Sequence, residues 1–277
     1  MAKIKELAIF YGWPSTVNGT YNVPDAINVF KKYHLVVFGE GLEDETHGDH
    51  INTVNIISGL LSITKVYGYI DSTLPLIVIT SKIDKWVDMG VAGIFCDRFG
   101  YDFGLNRSAQ NSIVEYIHSK NLSAFVNAWD PDDVFKPTSS LTTLLGVNDW
   151  FLAESYQIIN DDYQTTDEWT TRSEKLRKYS DATGTNIATV TTSVNGEYNQ
   201  SKLDYAYFST VLYGFDAFGW GEKYFSATDS QLPYRPRKRY YGNKFASEIK
   251  NNGDVFVRYT NVGINVNTVT KKVNYII

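Results

Sequence analysis

The sequence predicts a single α/β domain, a (β/α)8 TIM barrel with a small C-terminal antiparallel β appendage, and three observations carry that prediction. The chain has 277 residues, and an eight-fold β/α barrel needs roughly 250. Short apolar runs rich in β-branched and aromatic residues recur along it. Between them lie segments of helical periodicity, the alternation from which parallel βα units are built.

In chain order, the strands read as 7–14, 35–41, 65–71, 93–98, 123–130, 149–156, 186–194 and 216–222. Eight such strands suggest closure. A helix starts at Pro24-Asp25-Ala26, with proline in the first turn, and another at Ser81-Lys82-Ile83, with serine as the cap. Segments 106–120 and 166–183 are amphipathic in the same way. The barrel is expected over 1–250. After Asn251-Asn252-Gly253 the pattern changes to period-two alternation, so 251–277 is expected to form antiparallel strands that pack on the barrel or meet another chain.

Composition narrows the function. Aromatic residues make up 15% of the chain, and Tyr and Trp suit wet grooves that hold amphipathic ligands such as sugar rings, although most rings in any protein fill its core. A net charge of −5 makes nucleic acid a poor partner. The basic run from Arg235 to Tyr241 is short and reads as a solvated edge. No apolar run is long enough to span a membrane, and the N-terminus lacks the apolar stretch of a secretory signal, so an extracellular or virion-associated role would need another route. Cys96 is the only cysteine, and it reads as a small buried hydrophobe. His47, Asp49 and His50 share a loop without an obvious third ligand, and no cofactor or metal is expected. Phosphate-loop, dinucleotide and nucleophile-elbow motifs are missing from the sequence.

In such barrels, functional residues gather at the C-terminal strand ends, around one basin. The ends here hold Tyr11 and Trp13, Glu40, Tyr69 and Asp71, Asp97 and Arg98, Asn127 and Trp129, Glu154 and Tyr156, and Trp220 and Glu222. Carboxylates facing one basin suit glycosidic cleavage, in which one protonates the leaving oxygen while the other attacks carbon or activates water. Asp97 and Glu154 are the leading pair. Alternation turns both inward above Phe95 and Leu152 and leaves Cys96 outward. Arg98 either pairs with Asp97 and holds it ionised, or makes that pair merely structural, or points away. Glu40, Asp71 and Glu222 are alternative acids. Tyr11, Trp13, Tyr69, Trp129, Tyr156 and Trp220 are candidate stacking platforms.

Tyr67-Gly68-Tyr69-Ile70-Asp71, Ile83-Asp84-Lys85-Trp86, Gly93-Ile94-Phe95-Cys96-Asp97, Asn127 and Phe151-Leu152-Ala153-Glu154 together resemble the spherulin-4-like glycoside hydrolases. They are similar, more loosely, to the endo-α-1,4-polygalactosaminidase-like barrels. The resemblance covers about residues 7–156. It implies metal-independent cleavage of a galactosamine-containing or related exopolysaccharide, with Asp97 matching the acid that ends strand four and Glu154 the acid after strand six. Arg98 departs from the second acid that such relatives carry there, and a basic group at that place would favour an acidic sugar. The alternative function is a non-catalytic carbohydrate-binding or structural barrel, such as a surface or virion component, assembled through its C-terminal β segment.

Overall fold

The computed structural model describes residues 4–193, 198–227, 229–235, 245, 247–259 and 263–276. Eight parallel strands close into a barrel: β1 (Lys5–Phe10), β2 (Leu35–Phe38), β3 (Lys65–Asp71), β4 (Gly93–Asp97), β5 (Ser123–Asn127), β6 (Trp150–Ala153), β9 (Asn186–Val190) and β10 (Ala217–Gly219). A two-stranded hairpin, β7 (Ile158–Ile159) and β8 (Asp162–Tyr163), interrupts the sequence after β6. The ring closes through β1, whose Leu7 is in register with Leu35 on one side and Gly219 on the other.

Alternation divides the strand residues into two cores. Leu7, Ile9, Val37, Tyr67, Phe95, Phe125, Trp150 and Leu152 fill the barrel, whereas Ala8, Val36, Ile94, Cys96, Val126 and Phe151 face the helices. Much of the aromatic surplus therefore lies inside. Phe125 stands 5.3 Å from both Tyr67 and Phe95 and 5.9 Å from Trp150, centroid to centroid. Opposite these rings the lining is small, with Ala188, Ala217 and Gly219. Two glycines make room for the large ones. A Cβ on Gly93 would lie 2.5 Å from the Tyr67 ring, and one on Gly68 would lie 2.1 Å from the Trp86 indole. Trp86 packs on β3 there and donates its Nε1 hydrogen to the Tyr69 carbonyl at 3.0 Å. The Tyr-Gly-Tyr and Ile-Asp-Lys-Trp segments are thus a packing pair.

The outer layer comprises α1 (Val23–Phe30), α2 (His50–Leu60), α3 (Leu76–Asp88), α4 (Arg107–Ser119), α5 (Pro131–Phe135), α6 (Thr166–Thr183) and α7 (Gln200–Tyr213). Asn106 caps α4 through the Ala109 amide, and Thr165 and Glu168 form a capping box on α6, each such cap being worth about 1 kcal/mol. Ser81 is not a cap. Helix α3 begins one and a half turns earlier, directly after Pro75, because proline suits a helix start and the apolar Leu76-Ile77-Val78 continues the helical run. None of the helices within the described residues is long and apolar enough to cross a membrane.

The C-terminal sheet runs β11 (Lys250–Asn252), β12 (Val255–Tyr259), β13 (Gly263–Asn267) and β14 (Lys272–Ile276), all antiparallel. It packs on the barrel's helices. Phe256 meets Trp169 of α6 at 5.1 Å, and Arg258 donates to the Leu212 carbonyl of α7 at 2.9 Å. Phe256, Ile264 and Val266 are buried in this contact, a stabilisation of about 1.5–3 kcal/mol for each. Of the basic run 235–241, only Arg235 lies within the described residues, as the end of the seventh expected strand at Val194 does not.

Candidate functional site

Strand parity and strand length decide which strand-end residues reach the basin. Asp97 ends β4 two residues beyond Phe95, and Asn127 ends β5 two residues beyond Phe125, so both side chains rise from the inner layer. Glu154 stands two residues beyond Leu152, just past β6. The three converge. The Asn127 Nδ2 group donates to Asp97 Oδ1 at 2.9 Å and to Glu154 Oε2 at 2.8 Å. Because the two N–H bonds of one amide diverge by about 120°, the two acceptor oxygens stand roughly 5 Å apart. Tyr69, one layer along β3, donates its hydroxyl to the other Asp97 oxygen at 2.9 Å.

The two acids have different surroundings. Burial pushes the Glu154 carboxyl above its ordinary range; the Asn127 hydrogen bond opposes that, the Asp97 charge adds to it, and the Arg172 charge opposes it again. Asp97 receives two hydrogen-bond donors, the Tyr69 hydroxyl and the Asn127 amide. Tyr11 stands beside both, its ring 5.7 Å from that of Tyr69. Burial and the two carboxylates push its hydroxyl well above the ordinary phenol range, as burial and Asp97 do for Tyr69, so both remain protonated donors. An open cleft of about 380 Å³ lies over this group, lined by Asp97, Arg98, Asp102, Phe103, Asn127, Trp129 and Glu154.

Arg98 takes none of the roles it could have had toward Asp97. It lies past the end of β4 with φ at 55°, which removes it from the strand's alternation, and its Nη1 reaches Asp71 Oδ2 at 3.1 Å. The other Asp71 oxygen accepts from the Thr73 amide and hydroxyl. Asp71 is therefore a rim anchor. Glu40 is exposed on the neighbouring rim, 3.6 Å from Lys82 Nζ, and Trp13, half exposed, leans on His47 at 5.2 Å. Neither lines the cleft.

Three expected ligand-facing residues point elsewhere. Tyr156 would face inward if β6 continued, but the strand stops at Ala153 and Ser155 adopts φ 55°. The ring is then fully buried against α6, where its oxygen accepts the Trp169 indole N–H at 2.8 Å and contacts Ser173 at 2.9 Å. Trp220 has the parity of Phe218, so it packs among the residues facing the helices. Glu222 is buried in a two-pronged ion pair with Arg235, at 2.8 and 2.7 Å. In the histidine loop, Asp49 is committed to Ser15 and Asn52, and His50 to the Leu42 carbonyl. Cys96 faces outward, and burial pushes its thiol well above the ordinary range.

Arg172 was not anticipated. Only 7% exposed, it rises from α6, donates to the Glu154 carbonyl oxygen at 2.6 Å and lies 4.7 Å from the centroid of the Trp129 ring. Burial lowers its guanidinium to about 10, which leaves it charged at neutral pH. The available signal was an arginine on the apolar face of a helix, between Trp169 and Leu176.

No protein-family model matches the chain, and no curated protein does. Among solved structures it is similar to Rhizobium etli pyruvate carboxylase, with 9% identity and a TM-score of 0.52 over 80% of this chain and 23% of that one. It is also similar to the carboxyl transferase domain of that protein, with 8% identity and a TM-score of 0.51 over 78% of this chain and 39% of the other. The chain thus spans well under half the length of either. At such identities the likeness extends to architecture alone, and the closed eight-stranded ring with its surrounding helices places this chain among the (β/α)8 barrels.

Proposed function

We propose that the cleft is the active site of a retaining glycoside hydrolase, with Asp97 as nucleophile and Glu154 as acid and base. The observation that carries this reading is the single Asn127 amide holding both carboxylates, at 2.9 and 2.8 Å. A separation of about 5–5.5 Å is that of retaining enzymes, whereas inverting ones leave about 6.5–9.5 Å for a water. In the first step an Asp97 oxygen bonds to the anomeric carbon as the glycosidic C–O bond breaks, and Glu154 gives its proton to the departing oxygen. In the second, water attacks that carbon, Glu154 takes the proton, and the Asp97 carboxylate leaves. Burial favours the protonated Glu154 that the first step needs.

The substrate we propose is a galactosamine-containing or related exopolysaccharide, from the resemblance of residues 7–156 to spherulin-4-like hydrolases. Arg98 gives no support to an acidic sugar, since Asp71 already engages it. Incubation with α-1,4-linked polygalactosamine should release reducing ends. Asp97→Asn and Glu154→Gln should each lower that rate by about 100-fold or more while circular dichroism and melting show an intact fold. Full activity in both variants refutes the assignment; binding without turnover by the unmodified protein favours the non-catalytic barrel.

A further inference from the structure

A second cleft adjoins the first. It has a volume of about 410 Å³ and lies between the start of α5 and the first turns of α6. Its walls include Trp129, Pro131, Gln164, Asp167, Thr171 and Arg172. Trp129 also lines the carboxylate cleft, so one indole forms the boundary between the two. That indole is 53% exposed although it follows a barrel strand, and the Arg172 guanidinium beneath it fixes its tilt.

Two polar features of this cleft lack a counterpart. Among the described residues, the buried Nε and Nη2 groups of Arg172 have no hydrogen-bond partner, a costly state for a charged donor. Asp167, exposed on the rim, has no side-chain partner among the described residues. An exposed aromatic face held by the guanidinium beneath it, with a carboxylate at the edge that no side chain engages, matches a sugar ring that carries a protonated amine. The neighbouring cation does not oppose this, because Lys175 is held by Asp132 at 2.8 Å and Asp130 at 3.5 Å.

Resting on the hydrolase reading, we propose that this second cleft is an amino-sugar subsite continuous with the catalytic one, with Trp129 at the junction, so that the barrel takes a chain of several rings. Thr171 is exposed and lines this cleft but not the carboxylate cleft, which makes Thr171→Trp a plug for this cleft alone.

The test is calorimetric binding of α-1,4-linked galactosamine oligomers of two to five rings to Glu154→Gln, alongside reducing-end release by the unmodified protein. Affinity is expected to rise about tenfold as the chain grows past two rings. Adding Thr171→Trp should erase that gain and leave two-ring binding unchanged, and adding Asp167→Asn should remove the preference for free amines over N-acetylated oligomers. Affinity that does not grow with length, or growth that survives the plug, overturns the subsite. An unaltered amine preference in Asp167→Asn overturns its amino-sugar assignment. Turnover with flat length dependence leaves the hydrolase standing without the subsite; length-dependent binding without turnover does the reverse; neither binding nor turnover removes both.

Discussion

Replacing Asn127 by alanine deletes one amide and, with it, the hydrogen bonds to Asp97 and Glu154. Each hydrogen bond to a charged group is worth about 1.5–3 kcal/mol. When both are ionised, carboxylates about 5 Å apart repel by roughly 3 kcal/mol at an effective dielectric of 20, and the amide offsets that repulsion. Its loss should lower kcat/KM on polygalactosamine by about 10- to 150-fold, the equivalent of one such bond in the transition state. The pH profile should move as well. The amide favours ionised Glu154, so its removal raises the Glu154 pKa and shifts the basic limb of kcat/KM, where the acid loses its proton, to higher pH. The defect should therefore be smaller in alkaline buffer. The assay is reducing-end release across a pH series, with thermal melting as the control for folding. An unchanged rate and an unmoved basic limb in a folded Asn127→Ala protein would refute the bridging role.

Three further outcomes follow from the same contacts. Glu154 is raised by burial, so folding favours its protonated form; that stabilisation is present below the unfolded value and is lost as pH rises through the folded one. Glu154→Gln should accordingly melt higher than the unmodified protein at pH 8 and show no such gain at pH 3, at about 2–4 °C per kcal/mol. Arg172→Met removes a charge that lowers the Glu154 pKa and a donor to its carbonyl; the basic limb should move up in pH, which a purely structural role for Arg172 would not produce. Gly68→Ala places a methyl 2.1 Å from Trp86, and overpacking of that kind should cost about 1–3 kcal/mol in denaturant unfolding.

The inner placement of the two acids was legible because each follows a large apolar residue by two positions, and the barrel's alternation carries through to Asp97 and Glu154. The same rule misled at Tyr156, since extrapolating it past Ala153 ignored the left-handed turn at Ser155. The expected strands ran long for a related reason. The apolar texture of 7–14 continues after β1 ends at Phe10, into a loop that joins no neighbouring barrel strand and leaves Trp13 half exposed. Arg98 could not be placed from its neighbour in sequence, because its partner Asp71 comes from the adjacent strand. Asn127 stands among the strand-end residues that the sequence singles out, yet that its amide spans both acids depends on three strands meeting at one height, which no local pattern encodes. Arg172 was hidden by its helix.

The most direct measurement is the anomeric configuration of the first product, followed by proton NMR while a galactosamine oligomer is cleaved. The proposed mechanism passes through a covalent intermediate and two displacements, so the initial product should keep the configuration of the bond that was broken. An inverted anomer, or a folded protein that releases no product at all, would contradict the assignment of Asp97 and Glu154.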